Sequence, residues 1–291
     1  MRMVVAATDL SKRGDRAVDR AALIARGAGA ELLVLHVVDD DQPRGIVQGL
    51  VAEAEEYLSA EVAARAGSVP ARHLVVTGDI YVALHEEAAS AGAGLIVAGD
   101  HRHSAIRDVF RDTTIERLVR LSSVPVLIAR RPEAKPYLRA LLGVESGEAM
   151  ELAHVIDGWG EVRPEQLVIL HAFDALAAGL MAYAGASRED IEAHGREMAE
   201  GLAERLHATL DAQLARRTRL RVLEGEPAAL MQETAERENC DLIVVSTHAR
   251  RGLMRGLLGS VSSALLRRGT TDLLIVPRVV ASAHAADAAS L

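Results

Sequence analysis

Four small residues, Ser246, Ala249, Gly259 and Ser260, fall in a Ser-x2-Ala-x9-Gly-Ser pattern. An apolar run, Leu242–Ser246, precedes the pattern and reads as a strand; the stretch after Gly259 reads as a helix. Small residues let a loop's backbone come close to a ligand. A helix start offers unpaired N–H groups to an anion, and Ser260 adds a hydroxyl donor. Arg250, Arg251 and Arg255 lie inside the nine-residue spacer, where they would neutralise phosphate charge. Such a pattern could capture a phosphate. Plain turn chemistry accounts for the same letters.

An equivalent pattern occurs earlier as Gly99-x2-Arg102-x9-Asp112-Thr113. Here Arg102 is long where close approach is wanted, and the Asp112 carboxylate would repel phosphate. Asp112 or Thr113 reads better as a helix cap, with Glu116 three residues after Thr113 as in a capping box. Asp9 and Ser11 follow the first apolar run; the acid either meets a ligand or caps the next helix. Glu145-Ser146 stands at the matching place later in the chain. Asp100, His101 and His103 are close together, with His248 at the matching later position. Zinc wants three or four ligands, so a solvated loop is the expectation and no metal site is assigned. His36 and His171 lie within strand-like runs and are expected to be buried and hydrogen-bonded in the fold. Cys240 is expected to be buried, not reactive.

These residues are carried by a repeat. "ELLVLHVVDD" (31–40) recurs as "QLVILHAFDA" (166–175), at an offset of 135 residues. "AGLIVAGDHR" (93–102) returns as "CDLIVVSTHA" (240–249), and "VPVLIARRP" (124–132) as "TDLLIVPRV" (271–279), both at an offset of 147. The second copy therefore holds about 12 extra residues before a strand near Leu220. In the first copy strands are expected at Met3–Ala7, Leu32–Val37, His73–Val76, Leu95–Ala98 and Val126–Ala129. Their continuous apolar character fits strands covered on both faces. Between them run helical patterns; Gly27 and Gly29 suit the end of the first, and Pro227 the start of a late one. Two α/β units follow, each a doubly wound parallel sheet of five strands. The first spans 1–132 and the second 137–280, joined across Pro132 and Pro136, with a frayed tail at 281–291. The charged stretch from Ser187 to Leu214 reads as an exposed helix face.

In such sheets ligands bind beyond the carboxyl ends of the strands, where strand order reverses. The first crevice should then be built from Asp9, Val37 and Gly99, and the second from Val144, Glu145, Ala172, Phe173, Ser246, Ala249, Gly259 and Ser260. A first strand ending in Asp-x-Ser, a second reading "LHVVD", and a fourth followed by the small-residue pattern resemble the universal stress protein family. The resemblance covers nearly the whole chain, twice, as in a tandem member. It implies strand order 3-2-1-4-5 and pairing through the fifth strands into a pseudo-dimer, with a further homodimer open. It also implies a role in stress response, with ATP or another adenine nucleotide, and Mg²⁺ with it, held by the pattern and the first-strand acid beside the nucleoside. The nearly intact pattern places this in the second half, leaving the first structural or reading a different ligand. A slow ATPase and a ligand-free assembly protein are the alternatives. Apolar edges at Val126–Ala129 and Leu273–Val276 are the expected contact between halves.

Composition narrows the classes. The 291 residues are 49% hydrophobic and 25% charged, as in globular chains. Aromatic residues make up only 2%, too few for base-stacking platforms, and the net charge of −8 opposes nucleic acid and anionic membranes. The start lacks the apolar core of a signal peptide, and the apolar stretch 175–186 is too short to span a bilayer. One cysteine fits a reducing cytoplasm.

Overall fold

The computed structural model describes residues 1–100, 114–132, 134–145, 148–173, 187–247 and 258–277. In the first half the strands are β1 (Met3–Ala7), β2 (Glu31–Val38), β3 (Ala71–Thr77), β4 (Leu95–Gly99) and β5 (Val126–Ala129). Helices α1 (Lys12–Ala28), α2 (Arg44–Ala66), α3 (Ile80–Ser90) and α4 (Thr114–Leu121) alternate with them. The second half repeats the plan with β6 (Arg139–Val144), β7 (Gln166–Phe173), β8 (Thr218–Glu224), β9 (Leu242–Ser246) and β10 (Asp272–Val276). Its helices are α5 (Ala149–Asp157), α6 (Arg188–Ala208), α7 (Ala212–Arg217), α8 (Pro227–Arg237) and α9 (Ser260–Arg268), with a 3-10 turn at Gly160–Val162.

The ten strands form one sheet in the order β3-β2-β1-β4-β5-β10-β9-β6-β7-β8. Each half therefore has the expected 3-2-1-4-5 order, and strands within a half run parallel. The halves join where β5 meets β10 antiparallel, with Leu273 opposite Ile128 and Ile275 opposite Val126. These are the two apolar edges expected from the sequence; pairing them turns two five-stranded sheets into one.

Because side chains alternate across a strand, successive residues feed two apolar layers. On one face Val4, Ala6, Leu142 and Ile169 pack under α1, α2, α5 and α6. On the other, Val5, Leu141, Val168 and Ile275 pack under α3, α4, α8 and α9. Both layers run without a break from one half into the other.

The junction is also polar. Asp272, fully buried, accepts backbone N–H bonds from Arg130 and Arg131, each at 2.8 Å, and the Tyr137 hydroxyl at 2.7 Å. Arg20, 2% exposed, lies 3.4 Å from the same carboxylate, donates to the Lys135 carbonyl and stacks over the Tyr137 ring at 4.3 Å. The buried Arg130 guanidinium donates to the Leu265 and Leu266 carbonyls at the end of α9. On the same face as that contact, Glu116 of α4 accepts from Arg267 of α9 at 2.9 Å.

Helix ends follow the sequence with one correction. Ser11 caps α1, and Gly29 closes it in the left-handed region at φ 62°. Gly27, read as part of that ending, lies inside the helix. A Cβ there would come within 2.7 Å of Val162 Cγ2 and 2.8 Å of the Trp159 carbonyl, so it is a contact between halves that requires glycine. Pro227 opens α8 as expected, with Glu226 as its cap.

Candidate functional site

Parallel registers bring three strand ends together in each half. In the first half Ala7 lies opposite Leu35 on one side and Ala98 on the other. Beyond them opens a crevice of about 630 Å³. All three expected segments line it: Ala7-Thr8-Asp9, Val37-Val38-Asp39 and Gly99-Asp100.

The Thr8–Ser11 turn is tightly braced. Thr8 Oγ1 accepts the Leu10 N–H at 3.1 Å, and Leu10 takes a positive φ of 61°, rare for a side chain of its kind. Asp9 Oδ1 accepts both the N–H and the hydroxyl of Ser11, at 3.1 and 2.5 Å. Ser11 Oγ in turn accepts the Arg13 and Gly14 N–H groups. Asp9 is thus not itself the helix cap; it holds the cap in place and keeps an exposed position at the crevice mouth. His36 fixes the same turn, with Nδ1 2.8 Å from the Thr8 carbonyl oxygen. His171 repeats this contact with the Val144 carbonyl at 3.0 Å. Both histidines are hydrogen-bonded as expected, but each is half-buried instead of fully buried. The exposed part of His36 borders the crevice.

Gly99 has a packing reason for its identity. A Cβ there would stand 2.6 Å from the Arg13 carbonyl oxygen, so glycine lets α1 start against β4. Four lining residues of α2 were not legible as site residues: Leu50, Glu53, Ala54 and Tyr57. The available signal was that Leu50 and Tyr57 fall outside the buried stripe Ala54-Leu58-Val62 of the same helix, leaving large apolar groups on an open flank. Partial burial, followed by the Asp15 and Glu61 carboxylates, raises the Tyr57 hydroxyl above the ordinary tyrosine value, so it remains a neutral donor.

In the second half Gly143 lies opposite Val245, so the ends of β6 and β9 are adjacent, with Val144 buried and Ser246 half-exposed. Ala172 and Phe173 end β7 beside them, both half-buried. Glu145 is exposed, and its N–H donates to Glu148 Oε1 at 2.8 Å. Gly259 is the N-cap of α9, and Ser260 is its first residue. Having no side chain, Gly259 cannot cap the helix as Ser11 and Glu226 cap theirs. Ala249, Arg250, Arg251, Arg255, Ser146 and His248 lie outside the described residues, as do His101, Arg102, His103, Asp112, Thr113 and the tail.

Cys240 is buried, which pushes its thiol up to about 12 against the Arg139 charge that lowers it. Among the described residues no helix is long and apolar enough to cross a membrane. The close group of acids capable of meeting one ion among those residues is Asp39-Asp40-Asp41, all exposed.

Comparison with known proteins gives a consistent result. A sequence model of the universal stress protein family matches residues 1–130 and again 136–277. A universal stress protein of Mycolicibacterium smegmatis is 28% identical over 290 residues, 94% of this chain and 96% of that protein. The universal stress protein A homolog 2 of Coxiella burnetii is 31% identical over 118 residues, 39% of this chain and 75% of its own. Among solved structures, a universal stress protein from Archaeoglobus fulgidus superposes with a TM-score of 0.66 at 20% identity, covering 95% of this chain and 98% of that one, which is a likeness of fold.

Proposed function

This chain belongs to the universal stress protein family, matched twice in tandem, and on that premise we propose that it is a cytoplasmic regulatory module of the stress response that holds a small ligand without a membrane or nucleic-acid partner. Its second half takes an adenine nucleotide, ATP in the first instance, or a related anion. The phosphates sit against the start of α9, with Ser246, Ala249, Gly259 and Ser260 forming the close wall. Val144, Glu145, Ala172 and Phe173 line the nucleoside side. Any Mg²⁺ arrives with the triphosphate, because among the described residues at these strand ends Glu145 is a single carboxylate, far from a cation cage.

The observation that carries this reading is the cap of α9. The helix begins on a glycine with no side chain to satisfy its first N–H groups; α2 and α5 also start without a side-chain cap, while α1, α3, α7 and α8 are capped from their own sequence. Free N–H groups and the helix dipole at that end favour an anion. Family membership makes a nucleotide the first anion to try. Calorimetric titration with ATP is the test. Wild type should bind, and Gly259→Asp should weaken binding by at least ~0.3–1 kcal/mol from charge alone, and up to ~2 kcal/mol where the site is partly buried. Bound ATP should be retained without turnover. Equal affinities, or no binding by wild type at millimolar ATP, would leave the loop as turn chemistry.

A further inference from the structure

Arg130 belongs to the first half and ends against a helix of the second. Its side chain is 4% exposed. Its guanidinium donates to the Leu265 and Leu266 carbonyls at 3.1 and 2.7 Å, and to the Thr271 carbonyl at 3.1 Å. The last turn of α9 is therefore gripped from the first half. Glu116 adds a second hold through Arg267. The same guanidinium lies 3.5 Å, at Nε, from the carboxylate of Asp100, which lines the first crevice. Burial disfavours the Arg130 charge, and the Asp100 carboxylate, ahead of Asp272, offsets that cost.

The seat of this guanidinium is built, and it occurs once. Gly269 closes α9 at φ −70°, a conformation open to any residue. A Cβ at Gly269 would nonetheless stand 2.4 Å from Arg130 Nη1 and 2.6 Å from the Leu265 carbonyl oxygen, so glycine keeps open the space in which the two meet. At the repeat offset of 147, Gly269 corresponds to Ser122 and Arg130 to Pro277. The first half thus has a side chain where the second has the open seat. Proline, which carries no donor, stands where a reciprocal arginine would be.

We propose that Arg130 is a positioning residue for the anion site of the second half: it fixes α9 by its last turn and ties that helix to Asp100 in the first crevice. The proposal rests on reading the start of α9 as the anion seat. Coupling between two sites needs an element whose placement both can bias. Helix α9 is that element: it is nine residues long, held from the first half at one end and offering N–H groups at the other. A molecule in the first crevice that engages Asp100 alters the counter-charge of Arg130, and through α9 the affinity for an anion in the second. By linkage the anion alters binding in the first crevice by the same factor.

Calorimetric titration with ATP tests this on the full chain as wild type, Asp100→Asn, Arg130→Lys and the double variant. Asparagine keeps the size of Asp100; lysine keeps the Arg130 charge but loses the fork that spans several carbonyls. Each single change should weaken ATP binding by about threefold or more, within the roughly two- to thirtyfold range by which linking residues modulate coupling. The loss in the double variant should fall short of the product of the single losses. A bare charge effect has the opposite sign, because removing a carboxylate favours an anion. A purely structural Arg130 would move the urea midpoint and leave the affinity of the folded protein unchanged. Unchanged affinity in either single variant, tighter binding by Asp100→Asn, or independent losses in the double would overturn the proposal. Spectra of Val and Leu methyl groups without ATP separate it from the anion reading: Asp100→Asn should shift Val261, in the first turn of α9, together with Leu265 and Leu266. If wild type binds no ATP, the anion reading falls; a shift at Val261 then still sustains the link from Asp100 to α9, and an unmoved Val261 overturns that link as well.

Discussion

Asp272 is where single side chains decide most. Its carboxylate is fully buried and serves two backbone N–H groups, a tyrosine hydroxyl and Arg20 at once. Removing one member of a buried ion pair strands the other charge, which costs roughly 3–5 kcal/mol. Asp272→Ala should lose stability of that order in urea titration, and Tyr137→Phe about 1–3 kcal/mol, through the lost bond to the carboxylate. None of this was legible in the sequence, where Asp272 merely preceded the apolar edge Leu273–Val276; its partners at 20, 130, 131 and 137 become neighbours only after the halves pair. Cys240 was legible, because a lone cysteine beside an apolar run is usually buried. Burial moves its thiol from 9.0 to about 12. A raised folded value means that the unfolded chain loses the proton first, so this site's contribution is complete below pH 9.0 and falls as pH climbs toward about 12. Wild type should therefore lose more stability between pH about 8 and about 10 than Cys240→Ala does, measured as the shift in urea midpoint at the two values.

Among elements, strands were more legible than helix interiors. Continuous apolar runs marked β1, β5 and β9 at their observed bounds, because strands covered on both faces cannot alternate. Gly27 shows the limit. Near a helix end a glycine is normally a stop signal, and only the turn at Gly160–Val162 from the other half reveals its packing role. Gly27→Ala should gain about 0.8–1 kcal/mol in helix propensity and lose about 1–3 kcal/mol to crowding against Val162 and Trp159. A net fall in Tm is the expected result; a rise would show that α1 can shift away without cost. The three strand ends that line the first crevice were legible once the α/β repeat was seen. The α2 wall was not, since Leu50 and Tyr57 look like ordinary core positions until the neighbouring stripe is seen to be the buried one.

At the scale of the molecule, the repeat pointed to two units, and the structure makes them mechanically one. Two apolar layers and a polar junction cross the joint, so heating should give a single calorimetric transition whose van't Hoff and calorimetric enthalpies agree. Two separated peaks in wild type would show that the halves melt independently. The joint also sets an order in time. Among the described residues β10 is the last of ten strands in chain order and yet sits at the centre of the sheet, against β5 and β9. Arg130 and Asp272, which meet at 2.8 Å, are 142 residues apart. At a synthesis rate of about 5–20 residues per second, β5 waits roughly 7–30 s on the ribosome before its partner exists. Throughout that interval the growing chain displays a bare hydrophobic edge, and two chains on neighbouring ribosomes can join edge to edge through their first halves. A chain that stopped short of Asp272 would lack the strand that covers this edge in the complete sheet.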